Sequence, residues 1–291
     1  MKRIVSATDF SARSRRAMQR ATRLAKQHSA DLILVHVVDD DQPDEIVNFE
    51  RVEATRYLTQ QVNSFDEFRG VKCEVLVTTG DPFDGILNAA DSVSADLIVM
   101  GSHRRQLLRD VFVGTTIERV VRTGALPVLM VNSDTASTAS TQLDYNHVIA
   151  ATDMSASSAH AIKSAEALGF LYGVAFTIAH AFTAFARGKL YLADAAIEQI
   201  DEYLVNEHDQ VRMELIAFLM EQGLGNFARS ILLEEGGTLE VLSRIVTERT
   251  PDLLVIGTHG RSGIAKIFLG SVAEEILRSF KIDILVVPRP R

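Results

Sequence analysis

Short apolar segments alternate along this chain with longer segments in which apolar residues recur at a helical spacing. In the first half, runs rich in Val, Ile and Leu predict five strands, near residues 2–8, 31–38, 71–78, 96–100 and 127–131. The segments between them predict helices. The first of these has a clear apolar face, made of Ala17, Met18, Ala21, Leu24 and Ala25. Strands that are apolar on both sides and alternate with helices predict a parallel sheet covered by helices on both faces.

The pattern occurs twice. Residues 4–11 (IVSATDFS) recur 144 residues later as 148–155 (VIAATDMS), whereas the strand that ends at Gly101 recurs 156 residues later at Gly257, so the second copy is longer by about twelve residues. We therefore predict an α/β protein of two tandem doubly wound, flavodoxin-like domains, each a five-stranded parallel sheet with helices on both faces. The predicted boundaries are 1–133 for the first domain, 134–144 for a small, polar linker and 145–291 for the second domain.

Composition and charge narrow the functional classes. With 47% hydrophobic residues the chain can bury a core, and its formal net charge of −8 argues against nucleic-acid binding. The apolar runs, such as 31–38, are shorter than the ~20 residues of a membrane span, and a charged stretch follows the start in place of an apolar signal core. The single cysteine, Cys73, cannot form an internal disulfide. We expect a cytoplasmic protein with neither nucleic acid nor membrane as partner.

Candidate ligand-binding residues follow the first and fourth strands of each copy. Open α/β sheets bind ligands outside the carboxyl ends of their strands, at the switch point between neighbouring crossovers. Asp9 and Asp153 follow the first strands, and Gly101 and Gly257 the fourth. We expect these residues to flank a binding crevice in each half.

The second copy also carries a glycine motif. Gly257 is followed after two residues by Gly260, and after nine more by Gly270 and Ser271, which open a predicted amphipathic helix. Glycines allow positive φ and close backbone approach, and the amides at a helix N-terminus favour phosphate oxygens. Glycines that merely end a strand or cap a helix are the alternative. That alternative explains single positions well and the joint spacing poorly.

With this motif the sequence resembles the universal stress protein family, in a tandem two-domain form, over essentially the whole chain. The resemblance implies an adenine nucleotide alpha hydrolase-like version of the fold and an ATP or AMP ligand, with or without Mg. It places the phosphates on Gly257, Gly260, Gly270 and Ser271, and the adenosine end near Asp153 and Ala181, the residue after the second-strand histidine.

The first copy departs from the family motif. The corresponding residues are Asp9, Val37, Gly101, Gly114 and Thr115, but Arg104 stands where the second glycine belongs. Nucleotide binding is therefore expected mainly in the second copy. Family members commonly dimerise through the last strand, so we expect strands 127–131 and 283–287 to pair within the chain as a pseudo-dimer. Other faces would remain free for a homodimer or a protein partner.

The expected function is a stress-response protein that binds an adenine nucleotide and acts as a regulatory or protective binding protein. A carrier of another small ligand, or an interaction protein, is one alternative. A slow ATP hydrolase is another. We expect no catalytic residues, because Ser155, which could form a triad with His180 and Asp153, is better placed as a helix N-cap. Histidines recur at matched positions (His36, His180, His103 and His259) without other residues at ligand spacing, so no metal site is expected.

Two further segments have open interpretations. Arg13, Arg16, Arg20 and Arg23 share one side of the first helix and would bind an anion or acidic partner, or form a solvated face. The longer middle segment of the second copy, Tyr191–Gln222, predicts an extended helix. That helix would cover the crevice, line a groove for a partner or apolar ligand, or pack on the sheet as a crossover.

Overall fold

The structure is a computed structural model that describes residues 1–102, 116–132, 144–183, 197–258 and 269–289, with the backbone alone for 197–205. The strands are β1 (Arg3–Ala7), β2 (Asp31–Val38), β3 (Cys73–Thr79), β4 (Leu97–Gly101), β5 (Val128–Val131), β6 (His147–Ala151), β7 (Ala175–Phe182), β8 (Ile231–Glu235), β9 (Leu253–Gly257) and β10 (Asp283–Val287). The helices of the described ranges are α1 (Ala12–His28), α2 (Asp44–Ser64), α3 (Pro82–Ser92), α4 (Thr116–Thr123), α5 (Ala156–Ala167), α6 (Ile197–Glu221), α7 (Thr238–Arg249) and α8 (Ser271–Ser279).

The ten strands of the described ranges form one sheet, in the order β3-β2-β1-β4-β5-β10-β9-β6-β7-β8. Within each half the five strands are parallel, and their order by sequence is 3-2-1-4-5. The predicted doubly wound α/β fold is confirmed. Flavodoxin itself has the order 2-1-3-4-5, so its switch point lies elsewhere. Here the switch point lies between the first and fourth strands, β1 and β4 or β6 and β9.

The two halves join through their last strands. β5 and β10 are antiparallel, and Leu129 lies opposite Leu285, flanked by the pairs Met130–Ile284 and Val128–Val286. Leu129 and Leu285 occupy equivalent positions in the two copies, so a pseudo-twofold axis passes between them. The expected pseudo-dimer within the chain is thus present, and it turns two edge strands into the middle of a continuous sheet.

Successive residues of the strands point to opposite faces of the sheet, and each face has its own apolar core. On one face, Ile4 and Leu34 pack with Met18 of α1, and equivalent contacts are made by α5 and by Leu215 of α6. On the other, strand residues such as Val5 pack with α3, α4, α7 and α8. Because α1 follows β1 and α5 follows β6, the N-terminus of each helix lies at the carboxyl end of the first strand of its half-sheet.

The sequence left open whether the arginines of α1 meet an acidic partner or form a solvated face. Arg20 is buried, and its Nε donates to Asp283 Oδ2 of the second half at 3.1 Å. Arg23 pairs with Asp144 at 2.7 Å. Two arginines of this helix face therefore pair with acidic residues of the same chain, Asp283 in the second half and Asp144 just before it, and the alternative of a solvated face is wrong for Arg20. Asp144 belongs to the predicted linker, whose residues 134–143 lie outside the described ranges.

Burial dominates the electrostatics of this contact. The hydroxyl of Tyr145 donates to Asp283 Oδ2 at 2.8 Å, and the amide of Asn132 donates to Oδ1 at 2.9 Å. The guanidinium of Arg20 lies 4.3 Å from the centre of the Tyr145 ring. Burial raises the pKa of the Asp283 carboxyl, although Arg20 and the Asn132 amide oppose the shift.

None of the described helices combines the length and the apolar character needed to traverse a bilayer.

Candidate functional site

A tight turn joins the first strand of the second half to α5. The hydroxyl of Thr152 accepts from the Met154 amide at 3.1 Å, and Asp153 Oδ1 accepts from the Ser155 amide at 3.1 Å. Ser155 is the N-cap of α5, where its hydroxyl accepts from the Ser158 amide at 3.2 Å. Met154 adopts a left-handed conformation, with φ of 59°. These bonds fix the position of Asp153 at the carboxyl end of β6.

The first half repeats this turn almost bond for bond. Phe10 has φ of 63°, and its amide donates to the Thr8 hydroxyl at 3.1 Å. Asp9 Oδ1 accepts from the Ser11 amide at 3.0 Å, and Ser11 is the N-cap of α1. A left-handed residue other than glycine costs roughly 1–2 kcal/mol. Its presence in both copies shows that the turn geometry is imposed by the surrounding hydrogen bonds.

The matched histidines hold the ends of neighbouring strands together. His180 Nδ1 lies 2.7 Å from the Thr152 carbonyl oxygen, and His36 Nδ1 lies 2.8 Å from that of Thr8. A carbonyl only accepts, so Nδ1 carries the proton in each ring. The structure thus brings Ser155, His180 and Asp153 near one another. In their described hydrogen bonds, however, Ser155 caps α5, Asp153 accepts from a turn amide, and His180 binds the backbone carbonyl of Thr152. His103 and His259 lie outside the described residues.

Gly257 and Gly101 lie where helices approach the strand ends closely. A Cβ on Gly257 would lie 2.8 Å from Ser157 Oγ and 3.1 Å from the Ser157 carbonyl oxygen. On Gly101 it would lie 2.7 Å from both the carbonyl carbon and the carbonyl oxygen of Arg13. Neither glycine has a positive φ. Glycine is therefore needed at these two positions because the helix backbone approaches closely, and not because φ is positive.

Gly270 and Ser271 open helix α8 as predicted. Gly270 is the N-cap, with extended φ and ψ of −61° and 143°, and its amide donates to the Thr258 carbonyl at 2.9 Å. Ser271 is the first residue of α8 and is exposed. Gly270 has no side chain with which to cap this helix, so among the described residues no cap side chain accepts from its first amides. Gly260, Gly114 and Thr115 lie outside the described residues, as does Arg104.

These elements converge on the switch point of the second half. β6 and β9 are neighbours, so Asp153 and Gly257 follow adjacent strands at the same edge of the sheet. The first turn of α5 touches Gly257 through Ser157, and the bond to Thr258 holds the N-terminus of α8 beside it. The carboxylate, the strand-end glycine and two helix N-termini therefore meet there. In the first half, Asp9 and Gly101 occupy the same places.

A cavity of about 590 Å³ lies beside this switch point. Met154, directly after Asp153, forms part of its wall, as does Ala181 at the end of β7. The described lining residues are Met154, His180, Ala181, Phe182, Thr183, Asn206, Glu207, Gln210, Val211 and Glu214. A volume of this size is typical of small-molecule sites. Ala181 was predicted as a binding residue only from its position after a histidine. The structure places it in the wall of a cavity that is large enough for a small molecule.

Helix α6 supplies one wall of the cavity, and these residues were not among the predicted site residues. The structure combines two of the interpretations of Tyr191–Gln222. Leu215 and Leu219 pack into the core, as expected of a crossover helix. Residues of the preceding turns line the crevice. The sequence signal was the length difference between the copies. It could indicate an additional wall, but not which side chains would face inward.

Val37 of the first half corresponds to Ala181 and lies in tighter surroundings. It packs beneath helix α3, where a Cβ added to Gly85 would lie 2.7 Å from Val37 Cγ2. Beside it, the ring of Phe10 packs at a tilt of 42° against His36, with centroids 4.3 Å apart, and meets the Tyr57 ring edge-on at 5.3 Å. Bulkier side chains therefore occupy the corresponding part of the first crevice.

Comparison with known proteins agrees with this architecture. Residues 1–132 and 144–288 each match the profile of the universal stress protein family. The chain therefore belongs to that family and contains two copies of its domain. Universal stress protein MJ0531 of Methanocaldococcus jannaschii is 30% identical over 138 residues, which are 45% of this chain and 81% of that protein.

Two further relatives extend beyond one copy. Universal stress protein E of Escherichia coli K12 is 23% identical over 228 residues, covering 75% of this chain and 69% of that protein. The crystal structure of a universal stress protein from Archaeoglobus fulgidus matches with a TM-score of 0.69 at 18% identity, over 99% of this chain and 98% of that one. At 18% identity, the match to the Archaeoglobus fulgidus structure shows that the two proteins share a fold.

Proposed function

We propose that this universal stress protein binds an adenine nucleotide, ATP or AMP, in its second half and acts as a regulatory or protective binding protein in the cytoplasm. In this arrangement the phosphates lie at Gly257, Gly260, Gly270 and Ser271, the sugar lies at Asp153, and the adenine end lies beside Ala181. The observation that carries the proposal is the cavity at Ala181, which adjoins the turn of Asp153 through Met154.

The N-terminus of α8 supports the phosphate end of the proposal. Its N-cap, Gly270, contributes no capping side chain, and the positive end of a helix favours an anion. Among the described residues at the switch point the carboxylate is that of Asp153. A magnesium ion that accompanies ATP would therefore rest mainly on phosphate oxygens.

We propose binding rather than catalysis. The Ser155 hydroxyl caps α5, and His180 Nδ1 is bonded to a backbone carbonyl, so neither forms part of a nucleophile and base pair among the described contacts. Slow ATP hydrolysis would need a base from elsewhere. Product analysis of the ATP complex tests this, and turnover faster than that of free ATP would contradict a pure binding role.

Calorimetry with ATP and AMP on a charge variant of the phosphate end tests the nucleotide site. Gly270→Asp places a carboxylate beside the proposed phosphates, whereas Gly270→Asn is nearly isosteric and neutral. Both residues are favourable N-caps, and the extended φ of −61° suits them, so both variants are expected to fold. We expect Gly270→Asp to weaken binding by about tenfold or more relative to Gly270→Asn, because like charges repel. Equal affinities, or a wild type that binds neither nucleotide, would refute the proposal.

A small-molecule carrier without nucleotide is the second candidate. Glu207 and Glu214 lie in the cavity wall, and their carboxylates would attract a cationic ligand. This observation favours a carrier of a small cationic molecule. Native mass spectrometry of the purified protein distinguishes the two candidates. A bound mass equal to AMP or ATP supports the first, and any other retained molecule supports the second.

A further inference from the structure

Large apolar side chains point to solvent on one side of helix α2. Together with a ring from the turn after β1 they form what we call the α2 surface: Phe10, Ile46, Phe49, Val52 and Tyr57. Their exposed fractions run from 41% for Phe10 to 67% for Phe49. These five are half of the ten large hydrophobic residues that are exposed in the described ranges, so the exposed apolar side chains are concentrated here.

The α2 surface is continuous along the helix. Successive members of the row Ile46, Phe49 and Val52 are three residues apart, which makes them neighbours on a helix. Tyr57 follows Ile46 by three turns on the same side, and its ring meets that of Phe10 edge-on at 5.3 Å. A contiguous exposed apolar area on a protein surface is typical of an interaction site.

Acidic residues precede this surface and lie within it. Asp39, Asp40 and Asp41 come just before α2, are exposed, and have carboxylate oxygens within 4.8 Å of one another. Residues 39–57 contain seven acidic and two basic residues. The α2 surface is therefore apolar and negatively charged at once.

The two arginines of this segment are engaged on the helix itself. Arg56 Nη2 donates to Glu53 Oε2 at 2.7 Å, and Arg51 Nη2 donates to Asn48 Oδ1 at 3.2 Å. Their charges offset only part of the surrounding acidic charge. A cationic partner would therefore be attracted to this side of the first half.

The domain fold does not require an aromatic residue here. Leu58 of α2 and Leu215 of α6 are both fully buried, and each helix ends six residues later, so the two helices can be aligned on these leucines. On this alignment α6 has Asn206 in the place of Phe49. The second half thus builds the same helix with a polar residue, and the exposed ring of Phe49 belongs to the first half alone.

We propose that the α2 surface docks a basic amphipathic helix of a partner protein. Two helices pack lengthwise through rows of side chains, and the row that begins at Ile46 offers such a contact. Apolar side chains of the partner would lie on Phe49 and its neighbours, and lysines or arginines would face the carboxylates. The inference goes beyond the proposed function, because the nucleotide site takes no part in it.

Charge selects this partner over two others. A second copy of this chain, docked through the same surface, would bring two sets of acidic residues together. Anionic lipid headgroups would likewise be repelled by Asp39, Asp40 and Asp41. A partner with a basic rim around an apolar side is complementary in both respects.

The test measures binding of a fluorescein-labelled peptide to the full chain by fluorescence anisotropy. The peptide is a helix of leucine and lysine, with the leucines at helical spacing so that one side is apolar and the other basic. Two peptides of the same length are controls, one with glutamate for lysine and one with serine for leucine. We expect the wild type to bind the leucine-lysine peptide at least about tenfold more tightly than either control.

Variants locate the binding. Phe49→Gln removes the most exposed ring of the surface but keeps a good helix former, and we expect about tenfold weaker binding. Met213→Gln is the matched control, because Met213 is 66% exposed on α6, and it should keep the affinity within about twofold. Replacing Asp39, Asp40 and Asp41 together by asparagine should weaken binding and reduce its dependence on salt.

Several results would overturn the proposal. A wild type that leaves the leucine-lysine peptide unbound, or that binds the serine control equally, would do so, as would equal affinities of the wild type and Phe49→Gln. Because Phe49 is exposed, its variant should unfold at the wild-type temperature, and this measurement shows that a lost affinity is local.

Two further measurements address the other partners. Analytical ultracentrifugation detects self-association, and flotation with phosphatidylglycerol vesicles detects lipid binding. Either activity, if Phe49→Gln abolishes it, would assign the α2 surface to a second copy or to a membrane and overturn the proposal. A chain that stays monomeric and leaves the vesicles unbound, yet binds the leucine-lysine peptide through Phe49, supports it.

Discussion

Arg20 and Asp283 form a buried ion pair between the two halves of the chain. Their side chains are exposed by 10% and 3%, and Arg20 Nε lies 3.1 Å from Asp283 Oδ2. Asp283 stands at the start of β10, the strand that joins the second half-sheet to the first. The pair therefore fixes helix α1 of one half against the central strand pairing.

Breaking this pair should be strongly destabilising. In Asp283→Ala the buried guanidinium of Arg20 loses its ion pair with Asp283, and we expect a loss of about 3–5 kcal/mol in the free energy of unfolding. Asp144→Ala removes the partner of Arg23 in a pair exposed by 43% and 39%, and should cost less than about 1 kcal/mol. Urea unfolding of the three proteins measures both changes. Similar losses in the two variants would show that the buried pair has no special weight.

Alkaline pH should destabilise the protein through Cys73. Burial raises the pKa of the Cys73 thiol to about 11, from 9.0, with Lys26 opposing the shift. The folded state thus keeps a proton that the unfolded state loses, so this contribution to stability is complete below pH 9 and disappears as the pH rises towards 11. Urea midpoints of the wild type and Cys73→Val at pH 8, 9, 10 and 11 measure it. The difference between the proteins should be constant up to pH 9 and then shift in favour of the variant, and a constant difference throughout would contradict the shift.

The glycines at the strand ends should not tolerate alanine. The Cβ of Gly101→Ala would meet backbone atoms of Arg13 at 2.7 Å, so α1 must shift, and we expect a loss of about 1–3 kcal/mol in unfolding free energy. Gly257→Ala first meets the Ser157 hydroxyl and should cost less. Gly237→Ser is the control, because a Cβ there meets nothing within 4 Å and serine, like glycine, is accepted at the N-cap of α7. Denaturant unfolding gives the order, and a control as damaging as Gly101→Ala would remove the close-approach argument.

The size of residue 181 should control ligand binding in the second half. Ala181→Val introduces the side chain that the first half has at Val37 and narrows the proposed adenine end of the cavity. Overfilling of this kind typically costs 1–3 kcal/mol, so we expect AMP to bind about tenfold more weakly. Calorimetry measures the affinity, and thermal unfolding checks that the fold is intact. Unchanged affinity would place the base elsewhere.

Much of the fold could be predicted from the sequence because its signals are local and duplicated. β2 was predicted with the bounds that the structure has, and the apolar face of α1 is buried as expected. The pairing of β5 with β10 could be predicted because both strands are apolar and belong at an edge, and because the family that the sequence resembles commonly dimerises through this strand. The turns at Asp9 and Asp153 repeat because the Thr-Asp-x-Ser sequence recurs, and each hydrogen bond in them depends on nearby residues.

Contacts between residues far apart in the sequence could not be predicted. Nothing in the arginine pattern of α1 distinguished Arg20, which is buried, from Arg23, which is exposed, because the difference lies in Asp283 of the other half. The α6 residues that line the cavity likewise have the sequence context of a surface helix, and their place in its wall depends on packing against residues far away along the chain. The predicted binding residues themselves stay predictions until a ligand is measured.

Covalent linkage of the two copies frees their contact from the requirement of symmetry. In an assembly of identical subunits every substitution at the interface appears twice, so a favourable change on one side must also be acceptable on the other. Here the positions equivalent to Arg20 and Asp283 are Ser164 and Pro127, which cannot form an ion pair. One chain can therefore specialise each side separately, and because its halves are never diluted apart, their association does not depend on protein concentration.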